Sequence, residues 1–460
     1  MDRKEFLSTG AILGAMTIAP GGKIASQIKD DPMEENLYLD IQVFCSHEHW
    51  GSISSIGQFP GGFNADIRPG ALPQRKTTLV DLLVDPYMAG SLMGNGFNPL
   101  NKERNQPLAY TELLEALQNF RLKGTFLSLR LGINLAYGYD ILDLDPDRLS
   151  QINSTIAENY GNLFEWSQTL MKKASLTHLI RPVHPEFYMS DNNSATAAKE
   201  LAYTSTVMRI DPLMDFWKEE NLRRDKLADA LGTDPVDAKS WRAFLEKLFN
   251  RIEAQGCLGI KQLQAYHRNL DFEPVDDKSV VFRGTLSEQE KKRFQDWVVH
   301  ACCELANQRH WPHQVHVGTH NHPLSNPLPL SSLARRYPDQ KIVMLHCWPY
   351  LEEAGYLAQA HPNVYMDTCW QPILNPDFLR QSLQTWLGYI PLNKITMSND
   401  STSVEMAAGA SMITRKLLME SLDKQKAQAG LSDQEEREIA AQLLHNNAVV
   451  IYNLGTKHSI

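Results

Sequence analysis

Short apolar runs rich in β-branched residues recur along the chain, and stretches of helical period fill the spaces between them. The runs at 41–45 (IQVFC), 124–129 (GTFLSL), 176–183 (LTHLIRPV), 205–210 (STVMRI), 257–263 (CLGIKQL), 313–318 (HQVHVG), 341–347 (KIVMLHC), 363–368 (NVYMDT) and 394–399 (KITMSN) predict strands. Helices are predicted over 108–120, 239–255, 286–308 and 403–423, and Ser287 with Glu290 reads as a capping box for the third. Strands that alternate with helices build βαβ units on a parallel sheet, and eight such units close an α/β barrel. The expected fold is therefore a (β/α)8 TIM barrel with helical insertions in the βα loops.

Two stretches interrupt the alternation. Residues 51–107 are long and rich in Gly, Pro and Asn, and residues 211–256 read as a helical insertion before the next strand. Loops that follow barrel strands form the active-site rim, so insertions there shape substrate selection. The segment 424–460 reads as a terminal helix packed back on the barrel. A single barrel domain is expected over 38–460.

Composition narrows the function classes. The chain has 460 residues, 43% hydrophobic and 22% charged, with a formal net charge of -9. That balance fits a globular protein and argues against a nucleic-acid partner, which favours a basic stripe. Six cysteines, none in a CxxC pair, read as free buried thiols rather than a disulfide framework. At the N-terminus a basic start precedes an apolar run at 11–19 and then small residues. This reads as a signal peptide over 1–30, with Arg3-Lys4 in place of a twin arginine, and implies export to the periplasm. No other stretch approaches about 18 consecutive apolar residues, so no membrane span is expected.

The chemistry gathers at predicted strand ends. His47 and His49, in FCSHEHWG, lie two apart, and residues i and i+2 of a strand point the same way. Two neutral imidazoles at the barrel mouth make half of a divalent-metal site, although an HxH alone is more often part of a loop or core. His316 ends one β-rich run, His346 another, and Asp400 follows the last. Each has a plainer reading: His346 as a satisfied core histidine, Asp400 as the cap of the helix near Ser403. Together, in the order HxH, His, His, Asp, they point to a shared ion.

These stretches resemble the amidohydrolase superfamily, in the branch that includes the N-terminal domain of nodulin/glutamine synthetase-like proteins. LHCWPYLEEAGYLAQAHPNVYMDTCW (345–370) is similar to that branch's run of His, aromatic-Pro, Glu-Ala-Gly-Tyr-Leu-Ala and Pro-Asn-Val-Tyr-x-Asp. GIKQLQAYHRNLDFEP (259–274) resembles its fourth-strand pattern, and HNNAVVIYNL (445–454) its terminal helix. HVGTHN departs from His-Thr-Gly at its middle position, and SND has Asn399 where the branch usually has Ser. The resemblance implies His47, His49, His316 and Asp400 as metal ligands, and His346 as a ligand or substrate-polarising group. It makes Asp400 the proton shuttle and sets Lys261 where some relatives carry a carboxylated lysine between two metals. A plain Lys261 ammonium could instead bind a substrate carboxylate. One or two divalent ions are implied, with zinc the default for imidazole-rich sites and manganese or iron also fitting.

The expected activity is hydrolysis of an amide, ester or lactone in a small carboxylate-bearing substrate, by a metal-activated water. Decarboxylation or uronate isomerisation on the same site is the alternative, and a silent binding barrel is the third. Arg209, Tyr266 and Arg268 lie near predicted strand ends, where they could grip the carboxylate or simply make structural hydrogen bonds. Trp50, Trp348 and Trp370 could line an apolar or sugar pocket at the mouth; His320 and His322 read as rim residues. Relatives often assemble as homo-oligomers.

Overall fold

The computed structural model describes residues 38–50, 76–97, 110–189 and 195–454. The expected signal segment and most of the 51–107 insertion lie outside the described residues. Eight parallel strands pair in chain order: β1 (Val43–Cys45), β2 (Leu176–Val183), β3 (Thr204–Arg209), β4 (Cys257–Gln262), β5 (His313–Val317), β6 (Ile342–His346), β7 (Val364–Asp367) and β8 (Ile395–Thr396). The seam between β8 and β1 is joined just past the strands, at the C-terminal mouth. There Asp400 N–H donates to the His47 carbonyl and His49 N–H to the Ser401 carbonyl, both at 3.0 Å. The architecture is a (β/α)8 TIM barrel, and residues 37–460 cohere as one unit.

The barrel interior and its floor are one packed cluster. Phe44, Ile180, Val207, Val343 and Leu345 pack with Ala448, Ile451 and Tyr452 of the terminal segment. That segment is not one helix. The helix Val404–Ala429 ends at Gly430, which takes a left-handed φ of 71°, and is followed by Asp433–Ala441 and Asn447–Ile451 with a wider turn between them. Asn447 Nδ2 donates to the carbonyls of Leu392 and Ile395 at 2.7 Å, tying the last helix to β8.

The strand expected at 124–129 is a correction: Gly124–Tyr137 is helix. Phe126, Leu129 and Ile133, three and four apart, are buried on one face. A short apolar run does not separate a buried helix from a strand, and here the helical face won. The helix crosses Val404–Ala429 at a glycine pair, where a Cβ on Gly132 would lie 1.7 Å from the Glu405 carbonyl oxygen and one on Gly409 1.9 Å from that of Ser128. The insertion at 211–256 also resolves differently. Its second helix, Ala238–Ala254, buries Trp241, Phe244 and Leu248 and is the ordinary barrel helix leading into β4. Among the described residues no helix is long and apolar enough to cross a membrane.

Candidate metal centre

β1 stops at Cys45, and the next four residues run across the mouth of the barrel. His47 is fully buried. Its Nδ1 lies 2.9 Å from Gln314 Oε1, and the Gln314 amide is oriented by donating to Ser46 O at 2.8 Å and to the Tyr452 hydroxyl at 2.6 Å. An amide oxygen only accepts, so Nδ1 carries the hydrogen and Nε2 presents a lone pair to the mouth. His346, the last residue of β6, repeats the arrangement: its Nδ1–H donates to the Cys369 carbonyl at 2.9 Å.

Asp400 sits where these rings converge. Its Oδ1 is 3.2 Å from His49 Nε2 and 3.6 Å from His47 Nε2, while Oδ2 is 3.9 Å from His346 Nε2. Asp400 holds a left-handed φ of 58°, which a non-glycine residue adopts only where its surroundings impose it. The surroundings are Glu48, a buried carboxylate that accepts from the backbone of Asn399 (3.2 Å) and Ser401 (2.8 Å) and from the Ser401 hydroxyl. Asp367 anchors the opposite side. It accepts from Thr396 and Ser398 at 2.7 Å, from Cys369 N–H at 2.7 Å, and from the Ser46 hydroxyl.

Burial sets the charge states. It pushes His47, His49 and His316 well below the usual histidine range and brings His346 to about 3, with Lys261 adding to the effect on all four. Burial raises Asp400, opposed by Lys261, and raises Glu48 to about 7. It lowers Lys261 to about 8, with Asp400 opposing. Neutral imidazole lone pairs and a desolvated carboxylate facing one another are costly unless a cation sits among them. The ligand atoms of His47, His49 and Asp400 lie within 4.8 Å of one another, so this donor set fits a divalent ion.

The remaining expected site residues divide. Lys261, on β4, reaches His47 Nε2 at 3.3 Å. His316 enters the same mouth, its ring centroid 4.5 Å from those of His346 and Tyr266, but Thr319 Oγ1 lies 3.3 Å from its Nε2 and it stands outside the converging ligand group. Arg209 is bound to Asp211 through two nitrogens, at 2.7 and 3.2 Å. Tyr266 lies between His316 and His320, and burial raises its hydroxyl. Arg268 turns aside to Asp296 at 2.7 Å and to Asp271. Arg209, Asp211, Tyr266 and Arg268 all line a cavity of about 750 Å³ beside the mouth. Of the three tryptophans, Trp370 touches the site, 5.2 Å from His346 and stacked on His320; Trp50 stacks on Tyr203, and Trp348 on Phe378.

Glu48, Gln314, Asp367 and Cys369 escaped the sequence reading. Their one signal is position: Glu48 separates the two histidines, Gln314 precedes His316 by two, and Asp367 closes a strand.

Residues 279–454 match the family model described as amidohydrolase. That segment carries His316, His346 and Asp400, and the barrel supplies the rest of the mouth. Over that segment the chain is similar to the amidohydrolase family. The chain is 31% identical over 182 residues to Protein fluG of Emericella nidulans, a match spanning 35% of this chain and 21% of that protein. Its fold is similar to a uronate isomerase of Thermotoga maritima (TM-score 0.71, 14% identity, covering 91% of this chain and 96% of that one). It is also similar to a Lactobacillus casei protein assigned as a metal-dependent hydrolase (TM-score 0.61, 17% identity, 92% and 98%).

Proposed function

We propose that the chain is a metal-dependent hydrolase that cleaves an amide, ester or lactone bond in a small carboxylate-bearing substrate. The observation that carries this reading is the divided Asp400 carboxylate, with Oδ1 beside the His47 and His49 lone pairs and Oδ2 turned away from them. His47, His49 and Asp400 Oδ1 would hold the ion, which when bound brings the pKa of a water from ~16 to about 7.

Asp400 Oδ2 takes the proton of the attacking water and returns it to the leaving group. His346 has given its Nδ1 hydrogen to a carbonyl and stays neutral, so it faces the substrate as an acceptor. Lys261, whose Nζ lies 3.3 Å from His47 Nε2 at the same mouth, helps stabilise the developing oxyanion. Arg209, on the wall of the neighbouring cavity, receives the substrate carboxylate and shares its charge with Asp211.

Uronate isomerisation is the second reading, favoured by a fold likeness that extends over nine-tenths of the Thermotoga enzyme and of this chain. One panel separates the two. Metal-loaded protein is incubated with N-acyl amino acids, small dipeptides, lactones and uronates, and products are followed by mass spectrometry. Hydrolysis adds the mass of water; isomerisation leaves mass unchanged and alters only the sugar's carbonyl position. On the substrate found, Asp400→Asn should lower kcat by ~10²-fold or more. Full turnover by that variant would overturn the proposed role.

A further inference from the structure

Arg209 and Asp211, at the end of β3, line the cavity beside the mouth as a closed ion pair. Asp211 takes the guanidinium through Nε and Nη2, at 3.2 and 2.7 Å, and leaves Nη1. Both side chains are mostly buried, 18% and 16% exposed. Burial works to raise Asp211, but Arg209 outweighs it and holds the group below the usual carboxylate range, so it stays an anion. Asp215, at the far end of the turn Asp211–Asp215, adds a second carboxylate to the wall, in an exposed pair with Lys218 at 3.2 Å. A lone carboxylate entering here meets Arg209 and Asp211 together. It gains the guanidinium but is set beside a buried like charge, and like charges repel strongly where water is scarce. A ligand that brings an ammonium with its carboxylate removes the conflict. Its carboxylate takes Arg209, its ammonium takes Asp211, and no charge is left unpaired.

We propose that the Arg209–Asp211 pair recognises a free α-amino acid head group. The substrate is then an amide made through the side chain of an amino acid whose ammonium and carboxylate are both free, a class that rests on the hydrolase reading of the metal centre. With both α-groups engaged, the scissile amide has to lie on the side chain. The reach is short. Arg209 is in register with Lys261 across β3 and β4, and Lys261 Nζ is 3.3 Å from His47 Nε2. Neighbouring strands run ~5 Å apart. One or two methylenes between head group and reacting carbonyl suit that spacing, as in side-chain amides of aspartate and glutamate; the long arm of an acylated lysine does not.

The test reads binding first, without turnover. The zinc-loaded full chain is titrated by calorimetry with glutamate, glutarate and 4-aminobutyrate. At the α-carbon these keep both charges, only the carboxylate, or only the ammonium. Glutamate should bind on the order of 10-fold or more tighter than either of the others. Asp211→Asn should weaken glutamate and tighten glutarate, because the repelling charge is gone; a merely structural role would not move the two in opposite directions. Arg209→Gln should weaken both. In the same preparation, γ-glutamyl p-nitroanilide should be cleaved with a kcat/KM about 10-fold or more above that of glutaryl p-nitroanilide. Equal affinity for glutamate and glutarate, or no binding of any of the three, overturns the head-group assignment, and cleavage of other amides would leave the hydrolase reading standing. Glutamate binding with no amide cleaved sinks the hydrolase reading instead and leaves the head-group site. The wild-type ligand series decides on its own should a variant fold poorly.

Discussion

Asp400 and the three imidazoles around it show how one residue's chemistry depends on what holds it. Gln314 does not reach the mouth, yet it fixes the tautomer of His47. Gln314→Ala should therefore weaken metal binding by about 10–100-fold while leaving every proposed ligand in place, measured by competition with a chromophoric chelator. Unchanged affinity would mean that the ring is oriented some other way. Histidines at strand ends were legible in the sequence because the HxH was joined by a His, a second His and an Asp, each at the end of a predicted strand. Gln314 was not, because a polar residue inside a strand shows its partner only when a neighbouring strand is placed beside it. Arg268 is a related case: it lies near a strand end and lines the cavity, but its partner Asp296 on the next α-helix shows only in the structure.

At the scale of elements, the mouth is held by contacts between strand ends and by one helix pair. Glu48 fastens the end of β1 to the Asn399–Ser401 turn, and Asp367 joins β7 to β8 and to Ser46. Asp367→Ala would leave several buried donors without an acceptor, at a cost of about 1–3 kcal/mol each, and should unfold at markedly lower denaturant. Behind the mouth, Gly132 and Gly409 let two helix backbones touch. Gly409→Val should destabilise by more than about 2 kcal/mol in denaturant titration, because the added carbons meet backbone that cannot rotate away. A loss below 0.5 kcal/mol, the ordinary surface range, would contradict the close crossing. The same crossing explains why 124–129 misleads as sequence: the run is short and apolar, and only the partner helix, almost 300 positions later, makes its helical face worth burying. The eight true strands were legible because each is a single apolar run bounded by turn residues or charged helix starts.

Over the whole molecule, buried titratable groups set how stability follows pH. Burial pushes down His47, His49, His184, His300, His313, His316 and His346, with His184, His313 and His346 near 3 and His300 near 4. Such a histidine is neutral when folded and takes up a proton on unfolding once the pH is below about 6.5, so its contribution is complete above that pH and is lost as pH falls toward its folded value. Glu48 (about 7), Asp85 (about 6), Asp296 and Asp400 are pushed up and oppose this, since their share is complete at acid pH and is lost as pH rises through the folded values. The histidines outnumber the acids. The metal-free protein should therefore show a falling Tm from pH 6.5 to 4.5 in scanning calorimetry; a flat or rising Tm would contradict this balance.

The central claim is that side chains just past β1 and just past β8, separated by some 350 residues, share one ion. The most direct measurement is an anomalous-difference map from a crystal of zinc-loaded protein, recorded at the zinc absorption edge. The account predicts a peak bounded by His47 Nε2, His49 Nε2 and Asp400 Oδ1. A zinc peak only elsewhere in the molecule, or no peak from fully loaded protein, would contradict it.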